Sequence, residues 1–153
     1  METTITQFHK EIADKLNADE WFAQHNVEWL PENSLDIEFE IKKHLNNTGI
    51  CAVVVTPEMT YQGITDDGNY AFTINRLVLQ IVENTTVNRG RPNADSTNTT
   101  TALEAVHHAF YTLAKTQSDS DFGVFTPSTI KQSTTNSGKL LLVEGTLQCT
   151  VVL

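Results

Sequence analysis

Five histidines and two cysteines are the side chains of this 153-residue chain best suited to metal or proton chemistry, so their spacing comes first. His107 and His108 are adjacent in "ALEAVHHAFYTLAK" (102–115), which reads as an amphipathic helix. On that helix His108 lies one turn after Glu104, on the solvent side of a Leu103, Val106, Phe110 and Leu113 stripe, and an exposed i, i+4 pair accounts for it. His107 flanks the stripe as a boundary residue. His9, His25 and His44 show no ligand spacing to one another or to the cysteines. Cys51 and Cys149 sit in strand-like apolar segments and read as buried free thiols. "STTNSGKL" (133–140) has Ser133 where a phosphate loop needs Gly and Leu140 where it needs Ser or Thr, and it precedes a strand rather than a helix. No nucleophile elbow, dinucleotide fingerprint or calcium loop appears. The expectation is therefore no catalytic residue, no cofactor and no metal.

The elements that must position these residues follow from apolar spacing. Ile5, Phe8, Ile12 and Leu16 mark one helix face. "VEWL" (27–30) reads as a short strand stopped by Pro31. "LDIEFEIK" (35–42) alternates as a strand does, yet Ile37, Ile41 and Leu45 also stack at helical spacing. Ser34 suits a cap, Asp36 a first turn, and Lys42, Lys43 and His44 a last turn, so helix is preferred. "ICAVVV" (50–55) is apolar on both faces, as a central strand is. "AFTINRLVLQIVEN" (71–84) is a long strand joined to it through an Asp-Gly turn, so residues 50–61 should pair with 70–83 as a hairpin. "DFGVFTPSTIKQ" (121–132) reads as another strand interrupted by Pro127, and "TTNSGK" (134–139) as a turn. In the last strand Val143, Leu147, Cys149, Val151 and Leu153 share one face and Glu144, Thr146, Gln148 and Thr150 the other, the pattern of a half-exposed antiparallel strand joining the same sheet. Trp21, Phe22 and Trp29 serve equally as core residues or interface anchors.

Composition bounds the function. The length fits one domain, 1–153, with a real core. No apolar run approaches the roughly 18 residues of a membrane helix, and no signal layout opens the chain, so no membrane role and a cytoplasmic site of synthesis are expected. Net charge is −9, and residues 1–70 carry all of it (13 acids, 4 bases), while residues 71–153 balance (6 and 6). Such a chain repels nucleic acid at long range, so no specific nucleic-acid recognition is expected. All three arginines, Arg76, Arg89 and Arg91, fall within 16 residues.

The tract 85–100 holds two of them. It is polar, rich in Thr and Asn, and offers only Val87 and Ala94 as aliphatics. It therefore reads as an extended polar loop that buries almost nothing: a disordered spacer, or a flexible arm that is mobile in the free subunit and ordered by assembly. Asn88, Arg89 and Arg91 are its candidate assembly residues, the arginines seeking a carboxylate-rich surface or a phosphate backbone.

The order of elements carries a resemblance. A helix leads into "GICAVVVTPEMTYQG", a turn, then "YAFTINRLVLQIVEN"; a polar loop, a helix and a hairpin ending in "GTLQCTVVL" follow. This resembles the tail-terminator and minor tail proteins of long-tailed bacteriophages, and "IVENTTVNRG" is similar to a segment recurrent in phage and prophage proteins of this size. The likeness spans most of residues 34–153; residues 17–47 are longer than the matching link in the simplest members. It implies an α+β fold: an antiparallel or mixed sheet built on a long central hairpin, with helices packed on one face. It also implies a virion structural protein without chemistry, a homo-oligomer ring, commonly of six, that caps the tail tube and joins it to the head. Its partners would be itself, the tail tube and head-completion proteins, and its place the virion tail, with host bacterial cytoplasm during assembly. The alternatives are another neck connector or tube component on a related fold, or a small cytoplasmic enzyme or ligand-binding module, which needs a concave site with convergent polar groups.

Overall fold

The computed structural model describes residues 5–64, 66–68, 70–115, 125–135 and 138–152. Helix α1 (Ile5–Asn17) turns its Phe8, Ile12 and Leu16 face fully inward. A short α2 (Glu20–Gln24) follows, its first turn held by Asp19, whose carboxylate accepts from the Trp21 N–H at 3.0 Å. Then come β1 (Trp29–Pro31), α3 (Ile37–Asn47), β2 (Ile50–Val54), β3 (Met59–Ile64) and β4 (Tyr70–Asn84). Helices α4 (Thr85–Arg89) and α5 (Ala102–Lys115) precede the closing strands β5 (Thr126–Thr135) and β6 (Leu140–Val152).

The fifteen-residue β4 is the spine of a six-stranded mixed sheet of order β1-β2-β4-β6-β5, with β3 also paired to β4 off that path. β1 runs parallel to β2, and the other pairs are antiparallel. The expected hairpin forms. Ile50 pairs with Glu83, Val54 with Leu79, Met59 with Ile74 and Tyr61 with Phe72, one continuous register. It divides into β2 and β3 around Pro57, which has no N–H to give a ladder. The Val55 N–H still reaches the Val78 carbonyl at 3.0 Å. The C-terminal strand β6 joins the other side of β4 as its alternation required.

Strand parity divides the interior. Ile50, Ala52 and Val54 face the main core with Leu77, Leu79, Ile81, Val143 and Leu147, beneath α1 and α5. Helix α5 crosses the sheet at Gly145, where a Cβ would stand 2.5 Å from Val106 Cγ1 and 2.8 Å from Phe110 Cζ. Cys51 and Val53 point the other way and form a small cluster with Leu30, covered by Ile37, Ile41 and Leu45 of α3. The α+β class therefore holds, but the helices do not all pack on one face. An apolar β2 needs cover on both sides, and α3 supplies the second.

Local expectations are adjusted as well. The helical spacing wins over alternation from Ile37 onward, but the cap is Asp36, not Ser34; it sits in the left-handed region (φ 56°) and makes no side-chain cap bond. β1 includes Pro31 and starts later than Val27. Of the 121–132 segment, residues 121–124 lie outside the described residues and residues 126–132 belong to β5. Of the expected 134–139 turn, residues 134 and 135 extend β5 and residues 136 and 137 lie outside the described residues. Leu153 does too. Among the described residues no helix is long and apolar enough to cross a membrane.

Candidate functional site

Glu83 is the last inward residue of β4, on the parity of Leu79 and Ile81, and its side chain is fully buried. An unmatched carboxylate there would be costly. Four hydrogen bonds meet it. Arg89 donates through Nε to Oε2 at 2.9 Å and through Nη2 to Oε1 at 3.2 Å. Asn88 Nδ2 donates to Oε2 at 3.0 Å, and the backbone N–H of Ala102 to Oε1 at 3.0 Å. The last of these is the first N–H of α5, one of the donors a helix start leaves without an internal partner. Glu83 thus ties the end of β4 to α4 and to the start of α5. Thr101 and Glu104 complete that start: Thr101 Oγ1 accepts from the Glu104 N–H at 3.2 Å.

The tract that follows β4 is built around this carboxylate, which corrects the expectation that it buries almost nothing. Asn84 caps α4, its side chain accepting from the Val87 N–H at 3.3 Å. Asn88 is fully buried and also donates to the Thr100 carbonyl at 2.9 Å. Arg91 donates to the Asn88 carbonyl at 3.2 Å and to Thr99 Oγ1 at 3.1 Å. Gly49 makes room: at φ +82° it lets α4 approach so closely that a Cβ would stand 2.3 Å from the Asn88 nitrogen. The Asn84 N–H donates to the Gly49 carbonyl at 2.7 Å. Asn88, Arg89 and Arg91, singled out as assembly residues, are brought together, but their donors are used within the subunit. Arg89 remains half-exposed, and its Glu83 hydrogen bonds push its guanidinium pKa further up.

A second polar cluster stitches the same tract to α2. Asn26 Nδ2 donates to the Asn98 carbonyl at 3.0 Å, and His25 Nε2 lies 3.2 Å from the Ser96 carbonyl. The Trp21 ring stacks at 4.1 Å on both His25 and His108. His108 is not the expected exposed partner of Glu104: its Nε2 lies 2.9 Å from Asp19 Oδ2. Thr112 Oγ1 donates to the same oxygen at 2.7 Å. Burial raises the Asp19 pKa, but bonds from Thr112, the Trp21 N–H and His108 outweigh it and hold the carboxyl below its usual 3.8. Trp21 is half-buried in this stack, while Phe22 and Trp29 are core residues. His107 is exposed, as a boundary residue should be.

None of this composes a reaction centre. Both cysteines are free and buried, with burial pushing Cys51 to about 12 and Cys149 to about 11, so neither is a ready nucleophile. Among the described residues no group of three His, Cys, Asp or Glu side chains is placed to hold a metal. A depression of about 440 Å³ between Asn17, Asn26, Glu28, His44 and Thr48 has His44 Nε2 turned to Glu28 at 3.0 Å, and the Thr48 hydroxyl donates to the His44 and Ile50 carbonyls at 3.2 Å.

No protein-family model matches the chain, and no curated protein matches it. Among solved structures, a chain from "Virion of native gene transfer agent (GTA) particle" is similar to it, with a TM-score of 0.54 at 12% sequence identity. The match covers 93% of this chain and 92% of that chain, so the two share a fold from end to end.

Proposed function

We propose that this chain is a virion structural protein of the tail-completion or tail-terminator type, acting by assembly rather than by catalysis. The observation that carries the proposal is the end-to-end likeness to a chain of a gene transfer agent virion, where neither chain has a large segment left over. The element order of the long-tailed phage tail-terminator proteins points the same way. In this reading the subunit forms a homo-oligomeric ring at the end of the tail tube and meets head-completion proteins on its other side. The 85–100 tract is then a pre-shaped contact. Arg89, Arg91 and Asn88 fix its form, and its outer Thr, Asn and Asp side chains meet the neighbour.

A deletion of the gene in a producing strain tests it. Particles with tails of uncontrolled length are expected, with the tagged protein located at the tail end by immuno-electron microscopy. Complete, infectious or transfer-competent particles lacking the protein overturn the proposal. The same fold likeness serves a neck connector or tube component. Loss of all tubes marks a tube protein, and finished free tails beside finished heads mark a connector.

A further inference from the structure

The two ends of the sheet are finished differently. At the β1 end, Asn17 takes the place of a neighbouring strand. Its Nδ2 donates to the Trp29 carbonyl at 2.9 Å and its Oδ1 accepts from the Trp29 N–H at 2.8 Å. Pro31, the next residue facing outward, has no N–H, and its carbonyl accepts from Ser34 N at 3.0 Å. That edge offers a further strand nothing to bind. At the other end β5 is ten residues long, and among the described residues nothing pairs with its outer side. Every second residue there directs its N–H and C=O outward.

Edge strands are ordinarily guarded by proline, bulges or charge. In β5, Pro127 and the adjoining register irregularity guard only the first residues. Beyond them the strand is "TIKQSTT", β-prone and with one charge. That charge, Lys131, has Glu144 of β6 as its cross-strand neighbour, which offsets it.

We infer that β5 is a homotypic docking edge, which a second copy of this chain occupies by pairing its own β5 antiparallel. Charge favours a second copy at this edge. The surplus of −9 lies wholly in residues 1–70, which build the β1 end, while residues 71–153, which supply β4, β6 and β5, are neutral. Pairing through β5 joins neutral halves and keeps the acidic ends apart. A register centred on Gln132 sets residues of like parity opposite each other, as a two-fold antiparallel contact requires: Thr129 lies opposite Thr135, Ile130 opposite Thr134, and Lys131 opposite Ser133 rather than against itself. Such a contact is two-fold. A ring requires a head-to-tail contact, so the ring contact of the virion reading uses another surface. This inference does not depend on that reading.

The full chain carrying Thr129→Cys and Thr135→Cys is oxidised gently and resolved without reductant. Covalent dimers are expected, since both side chains are exposed and both native thiols are buried. The companion variant Thr129→Lys and Thr134→Lys should keep the wild-type melting curve and lose the dimer in sedimentation equilibrium. Wild-type chain that stays monomeric up to its solubility limit overturns the inference. So does a dimer that survives both lysines, or a ring that forms while the 129–135 cross-link fails to appear; that last result leaves the virion reading standing.

Discussion

The 85–100 tract and helix α3 are opposites in sequence and opposites in outcome. The tract is polar with almost nothing to bury, yet it places Asn88 and Thr100 inside the protein and surrounds a buried carboxylate. Helix α3 has the spacing of an amphipathic helix, yet none of its residues is fully buried, and Leu35 and Phe39 beside and on it are 89% and 65% exposed. A polar segment is fixed when each donor has an acceptor and the group they share cannot leave the core. An apolar stripe is fixed only as far as the surface it meets is large. Here that surface is three residues, Leu30, Cys51 and Val53.

The largest effect should come from emptying the tract's centre. Glu83→Ala leaves Asn88, Arg89 and the Ala102 N–H without their acceptor. Breaking a buried pair by removing one member costs about 3–5 kcal/mol, and the half-exposed Arg89 puts this site at the low end, about 3. Glu83→Gln keeps one acceptor oxygen but turns an NH₂ toward donors, so its loss should be intermediate. Urea denaturation of both variants checks the order. If Glu83→Ala unfolds at the wild-type midpoint, the tract is not held by this carboxylate.

Much of the frame was legible. Continuous apolar content in Ile50–Val54, alternation in Leu140–Val152 and the one-register hairpin follow from period-two reasoning, and all three were paired as expected. Glu83 was legible too, though it was passed over. It falls on the parity of Leu77, Leu79 and Ile81, and a charged residue at a core position demands partners nearby in space. Thr101-x-x-Glu104 before an apolar run was a further helix-start signal in the same place. Asp19 was not legible. Its partners His108 and Thr112 lie 89 and 93 residues away, and no local pattern announces a contact at that separation. Nor does spacing reveal that β2 needs cover on two faces until the strand order is known.

The satisfied Glu83 is sharpened by a poorly satisfied counterpart. His9 is buried on α1, and neither ring nitrogen makes a well-formed hydrogen bond; the Asn33 side chain offers a weak one. Burial lowers its pKa below 6.5, with Asn33 and the charge of Glu32 offsetting part of the effect. The unfolded chain therefore takes up this proton first as pH falls. Stability contributed by the neutral folded form is full above about pH 6.5 and declines as pH drops through that value toward the folded pKa. His9→Leu removes the poorly paired polar atoms and should gain about 1 kcal/mol at neutral pH. It should also flatten the stability curve between neutrality and the carboxylate range. Melting curves at a series of pH values check both; an unchanged slope for the variant would place the acid sensitivity elsewhere. Asp19 acts lower down: its depressed pKa gives stability that is lost only as pH falls through and below 3.8.

The α3 side should respond more weakly. Ile41→Ala removes a partly buried side chain over a three-residue cluster and should cost about 1 kcal/mol, well under the about 2–5 of a full-core Leu79→Ala. Equal losses at the two positions would mean that α3 belongs to the main core after all.

The smallest effect on the subunit is expected at Phe39, where the contrast between the two regions becomes useful. Its ring contributes little to the fold at 65% exposure, so Phe39→Ser should change stability by less than about 0.5 kcal/mol. A large apolar side chain kept outward beside Leu35, on a helix that barely needs it for packing, has little to do within one subunit. The virion proposal gives it work: contact with a neighbouring copy or with the tube. The measurement is therefore double, a melting curve on the free protein and an assembly assay in complementation of the gene deletion. Unchanged melting with defective particles marks the outer face of α3 as an assembly surface. A large drop in melting temperature would instead make Phe39 part of the fold, and the difference between α3 and the tract would shrink. Unchanged melting with normal particles would leave the pre-shaped 85–100 tract as the surface to mutate next, beginning with the exposed Asp95 and Thr97 rather than the arginines, whose donors are already engaged.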